Sequence, residues 1–136
     1  MTGVKNLFFI AGEGKHRVQL QATLTGDGII LTLLGGEKPH IGAMVMSIPR
    51  PSMADPRKLS CNSTLVPRLG HKEDEIVKPL AEKLAKASGQ VVVAIAGLHV
   101  ENAQKEDINL LIDNSWQVMQ QLLNALNFEK NNANFR

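Results

Sequence analysis

Residues Arg17 to Thr25 alternate strictly, with Val18, Leu20, Ala22 and Leu24 on one side and Arg17, Gln19, Gln21 and Thr23 on the other. That period of two predicts a half-buried strand. Gly26-Asp27-Gly28 is a turn sequence that tolerates positive φ, and the apolar run Ile29 to Leu34 predicts a second strand folded back on the first as an antiparallel hairpin. Upstream, Leu7 to Ile10 is a short β-prone run closed by Gly12-Glu13-Gly14, so a three-stranded meander with hairpin glycines at Gly12 and Gly14 opens the fold. After Gly35-Gly36, Ala43 to Ile48 predicts a fourth strand, stopped by Pro49 and Pro51, neither of which suits a central ladder. The stretch from Pro49 to Lys58 then reads as the longest loop, and Ser60 to Val66 alternates again before Pro67 and Gly70 close it.

The period changes at Glu73. Ile76, Val77, Leu80, Ala81, Leu84 and Ala85 form one stripe of an α-helix. Pro79 lacks the amide proton that a helix interior needs, so the regular helix is expected to start just before it or to kink there, and Ser88-Gly89 ends it. Val91 to Ala96, with three successive valines, predicts a central strand covered on both faces. A long amphipathic helix follows from about Lys105 to Leu126, with Asn102 as its expected N-cap and Ile108, Leu111, Ile112, Ser115, Met119, Leu122 and Leu123 along one side. These elements predict an α+β fold, an antiparallel sheet carrying two main helices, in one domain over residues 1–126, with 127–136 a polar, Asn-rich tail expected to be flexible.

The 136 residues suffice for one hydrophobic core. Fifteen basic and thirteen acidic residues are interspersed, and aromatic residues make up only 4% of the chain. Neither a basic tract nor a set of stacking rings is available, which argues against a nucleic-acid partner. The apolar runs fall far short of the about 20 residues that cross a bilayer, so no membrane span is expected. A lone cysteine, Cys61, makes no internal disulfide, and the N-terminus lacks the pattern of a signal peptide, so the cytoplasm is the expected compartment.

Candidate chemistry gathers in three loops. Gly35-Gly36-Glu37-Lys38-Pro39-His40-Ile41-Gly42 packs three glycines, a lysine and a histidine between two strands. Glycine lets backbone amides approach a ligand closely and Lys38 offers charge to a phosphate or carboxylate, although the same residues make an ordinary tight turn. Gly70-His71-Lys72 stands where a helix begins, a position that favours an anion. Gly97-Leu98-His99-Val100-Glu101 follows the valine strand directly, where open sheets commonly place ligand contacts. Ser60 and Asn62 flank Cys61 with donors for a polar ligand, and the cysteine itself reads as a small core residue. Arg50 and Lys72 are further cations, Met44 and Met46 suit an apolar groove, and His16, between Lys15 and Arg17, is expected to be exposed and solvated. Three histidines at strand ends also suit a transition metal held by His40, His71 and His99, with an open position for water, although their spacing matches no metal motif.

The segments Gly35-Gly36-Glu37-Lys38-Pro39-His40-Ile41-Gly42-Ala43, Gly70-His71-Lys72 and Ala96-Gly97-Leu98-His99-Val100, in that order, resemble the LpdD-like family of prenylated-flavin chaperones. Members are associated with UbiD-type decarboxylases such as gallate decarboxylase, where they were first regarded as a small D subunit. The resemblance spans about Gly35 to Ile112, its most specific piece is Pro39-His40-Ile41-Gly42, and Leu98 and Glu101 look like mild variants of the pattern. It implies a fold similar to that of small proteasome-assembly chaperones, often dimeric, and a non-catalytic accessory protein that binds prenylated FMN, or FMN, for a UbiD-type decarboxylase. The contacts it implies fall on His40, His71 and His99 with their loops. A phosphate would need Gly35, Gly36, Lys38 and the helix start at His71, and the flavin ring a groove. Two other readings compete with this one. In the first, a metal-dependent enzyme uses the three histidines, with Glu37 or Glu101 carrying protons. In the second, an assembly module buries a partner on its long helix or sheet edge.

Overall fold

The computed structural model describes residues 3–68, 70 and 73–134, apart from the side chains of residues 74 and 128–134. In chain order the elements are β1 (Lys5–Ala11), a short 3-10 turn (Gly14–His16), β2 (Val18–Leu24), β3 (Gly28–Gly36), β4 (Ala43–Pro51), β5 (Leu59–Pro67), α1 (Asp74–Ser88), β6 (Val91–His99) and α2 (Lys105–Asn134). The six strands form one sheet in the order β1-β2-β3-β6-β4-β5. The expected meander is present, Gly26 takes a φ of +89° in the β2–β3 turn, and every pairing is antiparallel except that of β3 with β6. As its apolar run suggested, β6 is central. It is inserted between β3 and β4, which would otherwise be hairpin neighbours.

Both helices pack on one face of the sheet, α1 over β4, β5 and β6 and α2 over β1, β2 and β3, and they touch each other. Alternate residues therefore enter the core: Val18, Leu20 and Ala22, Ile29, Leu31 and Leu33, Ala43 and Val45, Val92, Ala94 and Ala96. They meet Val77, Leu80, Ala81 and Leu84 of α1 and Val118, Met119 and Leu122 of α2. The opposite face has no helix on it. It carries Ile30, Met44, Met46, Ile48 and Val66, all exposed, with half-buried Val93 and Ile95 between them. The expectation that β6 is covered on both faces is thus corrected. Its unbroken valines reflect an apolar sheet face outside as well as inside.

Helix α2 runs to Asn134 rather than ending near Leu126, and the local chemistry departs from expectation at four further points. β4 does not stop at Pro49 but runs to Pro51. Its ladder with β6 covers only Ala43–Ser47, so both prolines lie past the end of β6 and need satisfy only the β5 side. Helix α1 begins at Asp74, well before Pro79. Pro79 and Glu75 are both exposed, so the carbonyl that loses its partner can turn to water. Asn102 is not the N-cap of α2: it sits at a left-handed φ of +52°, and the helix begins at Lys105, where the Asp107 carboxylate accepts the Gln104 N–H at 2.8 Å in the manner of a capping box. His16, finally, is half-buried rather than solvated. Its Nε2 lies 2.7 Å from Asp107 Oδ1, and Asn114 donates to the His16 carbonyl at 2.8 Å, which ties the β1–β2 connection to the first turns of α2.

The hydrogen bonds from His16 and from the Gln104 amide, with Lys15 nearby, lower the Asp107 carboxyl from 3.8 to about 2. A depressed carboxylate contributes stability that is complete above its unfolded value and is lost as pH falls through the folded one. Asp107→Asn should therefore melt below the wild type at neutral pH, and the gap should narrow as pH falls from about 4 to about 2. Melting curves over that range check this. A gap that stays constant down to the lower pH contradicts the role given to this carboxylate.

Candidate ligand-binding site

Strand directions decide where the loops meet. Because β6 runs parallel to β3 and lies between β3 and β4, the β3–β4 connection must cross the C-terminal end of β6. It does so in close backbone contact. The Glu37 and Lys38 amides donate to the His99 carbonyl at 2.7 and 3.3 Å, and Gly42 donates to the Ala96 carbonyl at 2.8 Å. A Cβ at Gly97 would overlap the His40 carbonyl, and one at Gly36, where φ is +78°, would overlap the His99 carbonyl. The β1–β2 connection reaches the same end, and so does the end of β5, where the Arg68 amide donates to the Gly42 carbonyl at 3.0 Å.

The crossing puts His40 beside His99, with ring centroids 6.2 Å apart and planes near perpendicular. His40 is largely buried. Its Nδ1 lies 2.9 Å from the Lys38 carbonyl, which can only accept, so that nitrogen carries a proton. Its Nε2 lies 2.7 Å from Oε1 of Glu73, a buried carboxylate at the start of α1. Both ring nitrogens are thereby engaged. His99 is more open, with Nε2 2.9 Å from Glu101, whose other oxygen accepts from Lys38 Nζ at 3.0 Å. These two hydrogen bonds, that of His99 foremost, hold the Glu101 carboxyl below its ordinary value. Glu37 completes the cluster by accepting the Glu101 amide at 3.0 Å. Among the described residues no group of three or more His, Cys, Asp or Glu side chains is arranged to hold a metal.

Beside the crossing loop lies an open cavity of about 240 Å³, lined by Leu34, Gly35 and Gly36 of β3 and by Gly14, Arg17, Gln19 and Pro39. Arg17 and Gln19 precede and follow the buried Val18, so both stand on the helix-free face of the sheet. Gly35 is required by packing, since a Cβ there would meet the Arg17 carbonyl and the Leu98 side chain at 2.6 and 3.0 Å.

Residues 12–127 match the prenylated flavin chaperone LpdD-like domain. The chain belongs to that family. The match extends beyond the Gly35 to Ile112 segment in both directions and takes in the opening strands. No curated protein matches the chain. Among solved structures, one titled "Crystal Structure of a Novel Chaperone Complex for Yeast 20S Proteasome Assembly" is similar to it, with a TM-score of 0.58 and 17% identity over 93% of this chain and 97% of that one. At that identity the likeness is one of fold, and it matches the expected assembly-chaperone architecture.

Of the residues first read as a site in this LpdD-like protein, Gly35, Gly36, Lys38, His40, Gly42 and His99 share the crossing. His71 and Lys72 lie outside the described residues. Ser60 and Asn62 do not join: they pair with Arg50 and Ile48 at the other end of the β4–β5 hairpin, seven and five residues along β4 from Ala43, roughly 17 to 24 Å away at strand rise. Arg50 is spent there on the Asn62 side chain and the Pro51 carbonyl. Burial, with Glu82 next, pushes the Cys61 thiol up, which suits a packed residue rather than a nucleophile. Sequence reasoning missed Glu73, whose one signal is an acid at the helix start just after Gly70-His71-Lys72, and Arg17, which reads only as the polar phase of a strand. The crossing tolerates no side chain at Gly97, so Gly97→Ala should lower folding stability by about 2 kcal/mol or more. A urea midpoint equal to that of the wild type contradicts the backbone contact with His40.

Proposed function

We propose that this LpdD-like protein binds prenylated FMN and holds it for a UbiD-type aromatic acid decarboxylase, as a cytoplasmic cofactor chaperone rather than as the catalyst of decarboxylation. The observation that carries this reading is the placement of His40 and His99 at the rim of an apolar sheet face that no helix covers. A flavin mononucleotide is amphipathic in the same sense, with a flat apolar ring and a hydrogen-bonding, anionic end. Leu34 and Ile95 suit the ring, and the imidazoles with their carboxylate partners suit its polar edge.

The protein is further proposed to be a homodimer. Met44 and Met46, 40% and 43% exposed, are central in the helix-free face, and Ile30, Ile48 and Val66 extend the patch. A second copy laid on this face would remove that apolar surface from water. Native mass spectrometry during titration with prenylated FMN reads both claims at once. Two chains carrying flavin are expected, with affinity weakened about tenfold or more by His40→Ala or His99→Ala and unchanged by the remote Asn62→Ala. No bound flavin, or equal effects from all three substitutions, contradicts the site, and a single-chain mass contradicts the dimer.

A further inference from the structure

We infer that Arg17, assisted by Gln19, is the phosphate anchor of the cofactor site, in the cavity beside Gly35-Gly36 and outside the histidine loops. This rests on the flavin reading above and adds the recognition of a phosphate monoester at one named place. Arg17 is the charged residue among those lining the cavity, and no carboxylate lines it. Neither the Arg17 guanidinium nor the Gln19 carboxamide has a hydrogen-bonding or ionic partner among the described residues. Among the described residues, Lys38, Lys15 and Arg68 at this end are engaged, with Glu101, Asp107 and the Ile41 carbonyl respectively. Glu37, next in sequence to the cavity's Gly36, has its carboxylate turned to the Glu101 amide.

Size and shape point the same way. About 240 Å³ admits a phosphate and part of a ribityl chain but is smaller than pockets that enclose a whole drug-sized ligand. The ring would then lie outside, over Leu34 and the apolar sheet face. The planar guanidinium presents paired donors that match phosphate oxygens, and Gln19 adds an amide donor for phosphate or an acceptor for a ribityl hydroxyl. The absence of side chains at Gly35 and Gly36 is already accounted for by backbone packing, against the Arg17 and His99 carbonyls, so the case for the anchor rests on Arg17 and Gln19.

The test compares prenylated FMN with its phosphatase-treated, phosphate-free counterpart on the full chain and on Arg17→Ala, by absorbance or fluorescence titration. The wild type should prefer the phosphorylated form by at least about tenfold. Arg17→Ala should lose that preference by weakening only the phosphorylated ligand, and Gln19→Ala should reduce it in part. A wild type with no preference, or an Arg17→Ala variant that keeps it, overturns the anchor and leaves the flavin reading standing. Equal weakening of both ligands also overturns it. A wild type that binds neither ligand overturns the flavin reading and the anchor together.

Discussion

The candidate site depends on one contact: the backbone of the β3–β4 connection lies directly on the end of β6, with nothing but hydrogen at Gly97 to separate it from the His40 carbonyl. The strand order makes some crossing unavoidable, since β6 occupies the slot between β3 and β4. The glycines make it a close one. Three amide donors of the loop close onto carbonyls of β6, so the crossing leaves few polar groups to seek other partners and gives the loop little freedom. His40 and His99, distant in sequence, become neighbours for that reason alone. The Gly42 backbone, against which a side chain would strike the Glu73 carboxylate, fixes the third member of the cluster.

This arrangement gives the sheet two unlike regions. At the rim, imidazoles and carboxylates are bonded to one another, to Lys38 or to backbone, which makes a polar edge. Away from it, the helix-free face is apolar from β3 to β5. Exposed apolar surface of this kind commonly marks an interaction site. The rim and the centre of this face thus differ in chemistry, polar at the end of β6 and apolar between β3 and β5.

Much of the fold was legible because period and punctuation agreed. The alternation of Val18, Leu20 and Ala22, the Gly26 turn and the stripe from Ile76 to Ala85 each stood where the structure has them. What local pattern could not carry was neighbourhood. Pro49 and Pro51 looked like a stop because nothing in sequence says that β6 ends before them, and the valines of β6 looked doubly covered because an apolar open face and a buried one read alike. The same limit governs the site. Ser60 and Asn62 had suitable chemistry and the wrong end of a hairpin, whereas Arg17 and Glu73 had the right place and no motif. His16 and Asn102 exchanged expectations through Asp107, whose carboxylate caps α2 and binds the imidazole, a pairing across the chain that no local rule predicts.

A chaperone that holds the proposed cofactor does so in order to pass it on. The direct measurement loads the protein with prenylated FMN, adds an apo UbiD-type decarboxylase, and follows both the flavin absorbance after separation and the appearance of decarboxylation. The expected result is that the flavin leaves with the decarboxylase and that activity appears faster than with an equal amount of free cofactor. Flavin that stays behind, or loading no faster than from free solution, would contradict it.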